Sequence, residues 1–254
     1  MPELPRFPPR VVLGVVWDLL KGGKRSLHQD ALSCTSRLNI RVLGAENTPP
    51  SQPGVIVVNH YYRPGFSGLW ITLIVSAVLQ EELVWVMSAA WTEANTAWSR
   101  IKAAASVPLF PRLARVYGLI TMPPMPPRPH ETTARACSVR KILATARQRP
   151  APLIAIAPEG QDPIDGVLMR PPPGAGRMLF KLAHLGLRFY PVGIYEQGEE
   201  MITSFGPSFH LVLSEGLRPD EIDCQAASKV MRAIAMQLPP SLRGVYALEG
   251  DTLF

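Results

Sequence analysis

Runs of β-branched and aromatic residues recur along this chain, and helical segments of 10 to 18 residues separate each run from the next. GVIVVN (54–59), LVWVMSA (83–89) and RFYPVGIY (188–195) read as strands, and PLIAIAPEG (152–160) as a strand breaking into a loop. Between them FSGLWITLIVSAVLQ, TEANTAWSRIKAAA (92–105, with a Thr92 cap), ETTARACSVRKILATARQ and PGAGRMLFKLAHLG (closed by Gly186) read as helices. Parallel strands need a long crossover, so this alternation predicts βαβ units. The expected fold is a single α/β domain with a mixed, largely parallel sheet flanked by helices. VPLF (107–110) is expected to be a further short strand, and TMPPMPPRPH a proline-rich loop. EMITSFG and PSFHLVLSEG are expected to pair as a hairpin. PDEIDCQAASKVMRAIAMQL, with Pro219 and acids in its first turn, predicts a long final helix.

The 254 residues suffice for a full core. Residues 1–48 are expected to form an N-terminal helical segment, and 49–254 the α/β domain. VVLGVVWDLLKGGKR (11–25) is apolar along one side, with Lys21, Lys24 and Arg25 at its end. The longest apolar stretch, Phe66 to Leu79, runs 14 residues, whereas crossing a bilayer takes roughly 20. No transmembrane helix is therefore expected. Each segment either lies in a membrane interface or packs as an ordinary helix. The N-terminal MPELPRFPPR puts prolines and charge where a secretory signal builds its apolar run. Three cysteines, widely separated, suggest neither a disulfide framework nor a zinc site. A cytoplasmic setting, peripheral on the inner face of a membrane, is the expectation.

Charge is polarised. Residues 99–150 hold ten Lys/Arg against the single acid Glu131, whereas 151–254 hold eight basic and twelve acidic residues. Such a field calls for an anionic partner: an anionic membrane surface, coenzyme A or an acidic carrier protein. The basic stretch lacks interleaved aromatics, which argues against nucleic acid. On 131–149 the basic face is either simply solvated or a docking face.

Chemistry in such sheets collects where strands end. His60 follows one strand in NHYYRPG, and Glu159 follows another in APEG. GFSGL (65–69) departs from the hydrolase elbow Gly-x-Ser-x-Gly at Leu69, so Ser67 reads as a helix-start hydroxyl. Read together, Asn59-His60, Arg112 in VPLFPRLARVYG, Pro158-Glu159-Gly160 and Pro191-Val192-Gly193 stand in an order that resembles the glycerolipid acyltransferases of the lysophosphatidic acid acyltransferase type. The resemblance spans roughly residues 50–215. That family's blocks are Asn-His-x4-Asp, a block ending in a phosphate-contacting Arg, Pro-Glu-Gly-Thr-Arg, and an apolar block with Pro-Val-Gly.

The resemblance implies an acyltransferase-like α/β domain over 49–254. Its implied reaction moves a fatty acyl group from acyl-CoA or acyl carrier protein to a lipid hydroxyl, with His60 as general base. Asn59, Arg63, Arg112, Glu159 and Gly160 are then the substrate-binding candidates, and neither metal nor cofactor is required. The chain departs from the pattern twice. Gly65 stands where the family has the Asp that orients the histidine, and Gln161-Asp162 stand where it has Thr-Arg. Glu93, Asp162 and Asp165 are the candidate carboxylates for orienting His60 instead, and Arg63, Arg170 and Arg177 the candidate cations for compensating at the third block. Two rival readings stay open. One is a non-catalytic lipid- or acyl-binding relative in which His60 is structural. The other is a thioesterase-like hydrolase in which His60 activates water.

Overall fold

The computed structural model describes residues 3–50, 53–91, 97–163 and 165–247. Among these residues seven strands form one sheet: β1 (Ile40–Leu43), β2 (Gly54–Val58), β3 (Leu83–Ser88), β4 (Ile120–Met122), β5 (Leu153–Ile156), β6 (Arg188–Gln197) and β7 (Glu200–Phe205). Their spatial order is β1-β7-β6-β2-β5-β3-β4. Every neighbouring pair is parallel except the β6–β7 hairpin. The mixed, largely parallel α/β architecture expected from the alternation is the one observed.

Among the described residues the α-helices are α1 (Pro9–Lys21), α2 (Leu27–Thr35), α3 (Gly68–Val78), α4 (Ala97–Tyr117), α5 (Thr132–Ala146), α6 (Ala175–Ala183) and α7 (Pro219–Ala235). Side chains alternate along β2, so its two faces enter different cores. Ile56 and Val58 pack with Ala31 of α2 and Ile71 and Ile74 of α3. Val55 and Val57 pack with Ile142 of α5, Leu179 of α6 and Ile234 of α7. All four β2 side chains are fully buried, which explains why GVIVVN reads as an uninterrupted apolar run.

Helix α3 settles the apolar segment Phe66 to Leu79. Trp70, Ile71, Leu73, Ile74 and Val75 are buried in the core, and Trp85 of β3 donates its indole N–H to Ser76 Oγ at 2.9 Å. It is a packed helix. Helix α1 differs: none of its residues is buried. Its C-terminal end is tied down by Arg25, which pairs with Asp18 at 3.0 Å and Asp30 at 2.6 Å. Tyr117 of α4 donates to the same Asp30 at 2.7 Å. Outward, α1 leaves Leu13 69%, Trp17 62% and Leu20 78% exposed.

Three expectations are corrected. The N-terminal segment 1–48 is not helical throughout, because Ile40–Leu43 is strand β1 and pairs with β7. The strand expected at 107–110 is instead the middle of α4, which carries Pro108 and Pro111 inside it. A four-residue apolar run does not tell strand from helix by periodicity, and a proline's fixed φ is helix-compatible even though it removes a ladder hydrogen bond. Buried Ala114 and Val116 hold the last turns against the core. Finally, residues 200–206 pair with β6, not with 207–216. β7 covers β6 only from Val192 to Gln197, and the uncovered start of β6 is where Phe209 makes one antiparallel bridge to Phe189. The expected Thr92 cap lies outside the described residues.

Candidate active site

The site forms where β2 and β5, neighbours in the sheet, both end. Asn59 follows β2 directly, and its amide continues the ladder that the backbone leaves. Its Nδ2 donates to the Ile194 carbonyl at 2.9 Å, and its Oδ1 accepts from the Ile194 N–H at 2.7 Å. Asn59 is buried, so both backbone groups of Ile194 depend on it. His60 is thereby delivered at a fixed point beyond the sheet.

Glu159 fastens the same point from the β5 side. Its Oε1 accepts the His60 backbone N–H at 2.7 Å, and its Oε2 accepts the Met169 N–H at 2.8 Å. Only 1% of Glu159 is exposed. Burial pushes its carboxyl up to about 7, against the opposing pull of His60 and the two N–H donors. Gly160 then turns the chain at φ +73°, where a Cβ would meet Met125 Cγ at 3.3 Å. That turn carries the loop back toward the histidine.

The loop delivers Asp162. Its Oδ1 lies 3.1 Å from His60 Nδ1, in a pair that is partly shielded on both sides. An Nδ1–H donated to a carboxylate holds the ring in one orientation and tautomer, which leaves Nε2 as the acceptor. Of the three carboxylates weighed from the sequence, Asp162 is the one at the ring. Asp165 is exposed in a turn, and Glu93 lies outside the described residues.

Arg63 donates from Nε to Glu196 Oε1 at 2.6 Å, in a shielded pair that pins the His60 loop to the end of β6. Arg112 is exposed on α4. A cavity of about 1800 Å³ opens at the site and is lined by His60, Gly160 and Asp162 but not by Asn59, Arg63, Arg112 or Glu159. Asn59 and Glu159 support the site from behind. Much of the remaining lining is apolar, from Phe7 just before α1 and Val11 and Val15 on it to buried Ile71, Trp85 and Leu119. The α1 contribution was not legible in sequence, because a lining face and a packing face have the same periodicity.

Gly65 has φ +85°, a left-handed backbone that costs a residue with a Cβ about 1–2 kcal/mol. Gly65→Asp is therefore expected to lower stability by about that amount without improving on Asp162. Urea unfolding of the variant checks this; unchanged stability would show that the turn tolerates a side chain.

No family model matches the sequence, and no curated protein does. Among solved structures, the chain is similar to the crystal structure of the 1-acyl-sn-glycerophosphate (LPA) acyltransferase PlsC from Thermotoga maritima. The two are 12% identical, with 89% of this chain and 85% of that one covered, at a TM-score of 0.49. A likeness of this degree assigns neither an activity nor a residue's role, so both rest on the chemistry of the site itself.

Proposed function

We propose that this chain is an acyltransferase that moves a fatty acyl group from a thioester, on coenzyme A or acyl carrier protein, to the hydroxyl of a lysoglycerolipid or related lipid. The observation that carries the reading is the His60–Asp162 pair, 3.1 Å apart, facing a large and mainly apolar cavity. The pair supplies a base at one point, and the apolar walls supply room for an acyl chain.

The acceptor hydroxyl approaches His60 Nε2, gives up its proton there and attacks the thioester carbonyl carbon. The imidazolium so formed is held by the Asp162 carboxylate. As the tetrahedral adduct collapses the C–S bond breaks, the ester is complete, and the departing sulfur takes the proton from His60. No covalent intermediate on the protein and no cofactor enters this sequence. The pair also counts against a non-catalytic relative, since a histidine kept for structure alone is expected on a backbone carbonyl.

Turnover of radiolabelled acyl-CoA with a panel of lysolipids tests the assignment. Labelled diacyl product is the expected result. Label released as free fatty acid, with or without acceptor, would make the protein a hydrolase in which water takes the acceptor's place.

The acceptor is a membrane lipid in this reading, and α1 offers the contact. Leu13, Trp17 and Leu20 form its exposed apolar side, with Lys21 at its end. Among the described residues no helix is long and apolar enough to cross a membrane, so α1 would lie in the interface with its cations at anionic headgroups. Pelleting with phosphatidylglycerol vesicles is expected for the unaltered protein and lost in the L13S/W17S/L20S variant. Equal pelleting of the two would remove α1 from membrane binding.

A further inference from the structure

Asp162 and Met169 share one loop, between the Gly160 turn and the start of α6, and the Met169 N–H holds Glu159 Oε2 at 2.8 Å. The peptide that carries this N–H joins Leu168 to Met169, so its carbonyl is that of Leu168. A peptide unit is planar, and whatever fixes the direction of that carbonyl fixes the direction of the N–H as well. Leu168 is 2% exposed, and it donates its own N–H to the Leu242 carbonyl at 2.9 Å. The loop is therefore fastened just before it reaches Glu159, and it is fastened to the C-terminal part of the chain.

That part has no place in the chemistry described above. Two single 3-10 turns follow α7, Pro240–Leu242 and Gly244–Tyr246. Arg243 between them donates from Nε to the Ala235 and Leu238 carbonyls at 3.1 and 3.0 Å, which anchors the turns to the end of α7. Leu242 and Tyr246 pack on the core cluster that holds Leu168 and Ile234. Gly244 lies against the Leu168–Met169 peptide. A Cβ at Gly244 would overlap the Leu168 carbonyl oxygen and stand 3.2 Å from its carbon. Only a glycine lets two backbones approach in this way. Burial raises the pKa of the Tyr246 hydroxyl, a shift that Arg170 opposes and Glu159 reinforces, so the turn stands within electrostatic reach of the carboxylate.

The contacts form one line. Gly244 abuts the Leu168 carbonyl, the Met169 N–H on the same peptide holds Glu159 Oε2, and Glu159 Oε1 holds the His60 N–H at 2.7 Å. We propose that Gly244 is a positioning residue for His60, setting through the Leu168–Met169 peptide and Glu159 the placement of the ring opposite Asp162. What the ring then does rests on the acyl-transfer reading; the linkage itself does not. In Gly244→Ala the new methyl group cannot coexist with the Leu168 oxygen. Either the peptide tilts its N–H away from Glu159, or the turn withdraws and breaks the Leu168–Leu242 bond.

NMR spectra of the full chain carrying 15N-labelled histidine read the ring without requiring turnover, with the His60 signals identified by their loss in His60→Ala. At pH 8, where an imidazole is neutral, the wild type should show His60 with its proton on Nδ1 alone. Gly244→Ala should show both tautomers. Its kcat should fall on the order of 10²-fold with KM within a few-fold, the cost of a displacement of about 1 Å that starts far from the chemistry. Arg243→Gln frees the turn from α7 without adding an atom beside Leu168, and it should move both readouts the same way by less. Ile142→Val trims the same core cluster elsewhere; it should lower Tm yet keep the wild-type tautomer and kcat. A wild-type tautomer in both Gly244→Ala and Arg243→Gln overturns the linkage, as does wild-type turnover in both or an equal change in Ile142→Val. Mixed tautomers in Gly244→Ala, with no acyl transfer even by the wild type, would leave the linkage standing and sink the acyltransferase reading alone.

Discussion

Asp162→Asn is expected to lower kcat for acyl transfer on the order of 10²–10⁴-fold while leaving KM within a few-fold. The magnitude is that of general-base catalysis with a wrongly held imidazole. An amide at position 162 can present its N–H₂ to Nδ1, which favours the tautomer whose proton sits on Nε2, and Nε2 must be the acceptor. His60→Ala should lose a comparable factor. The double variant should be scarcely worse than either single one, because the two side chains act as a unit. A purely structural role for Asp162 would instead show as lost stability or a raised KM. Asp162→Asn with undiminished kcat would remove the carboxylate from the mechanism, and His60→Ala at wild-type rate would remove the base itself.

Stability that falls as pH rises is expected of Glu159, the reverse of the usual carboxylate. Its carboxyl sits at about 7 in the folded chain against an ordinary 4.5. Between those values the folded state holds a proton that the unfolded state has released, so raising the pH favours unfolding. The stabilisation is whole below about pH 4.5 and lost as pH passes through about 7, a total of about 3 kcal/mol. Urea unfolding from pH 4.5 to 8 measures it, with Glu159→Gln as the reference that cannot titrate. The glutamine puts one N–H₂ against a backbone N–H and is destabilised at every pH. Its deficit relative to wild type should be about 3 kcal/mol smaller at pH 8 than at pH 4.5. Parallel profiles would mean that Glu159 titrates as an ordinary carboxylate. Because Glu159 also holds the His60 backbone N–H, the same variant should lose activity along with stability.

Much of the architecture was legible in the chain because its signals are local. A strand buried on both faces must be apolar at every position, and β2, β5 and the middle of β6 were each recognisable on that ground, whereas β3, buried at Leu83 and Trp85 only, was recognisable by its β-branched and aromatic run. The long helix beginning at Pro219 announced itself through its proline and first-turn acids. The errors have local causes too. Residues 107–110 are apolar and β-compatible, yet they continue a helix whose later turns are held by core contacts. β1 and β4 are edge strands of four and three residues, too short to show a period. PSFHLVLSEG alternates like a strand but finds only a few residues of β6 left to pair with.

The site was readable to a different depth. The order of Asn59-His60 and Pro158-Glu159-Gly160 along the chain was enough to place the histidine and its supporting loop. Arg63 and Arg112 are equally well placed along the chain. In space one is bound to Glu196 and the other, exposed on α4, is not among the residues lining the cavity. What the sequence by itself determined is the candidate histidine and the strand ends that present it, since β-branched runs and turn residues act on their immediate neighbours. What only the tertiary structure decided is the partner of that histidine. Asp162 lies 102 residues from His60 along the chain, and they meet because β2 and β5 pair side by side and the Gly160 turn folds back. The carboxylate at the His60 ring comes from across the sheet, a contact that no periodicity encodes.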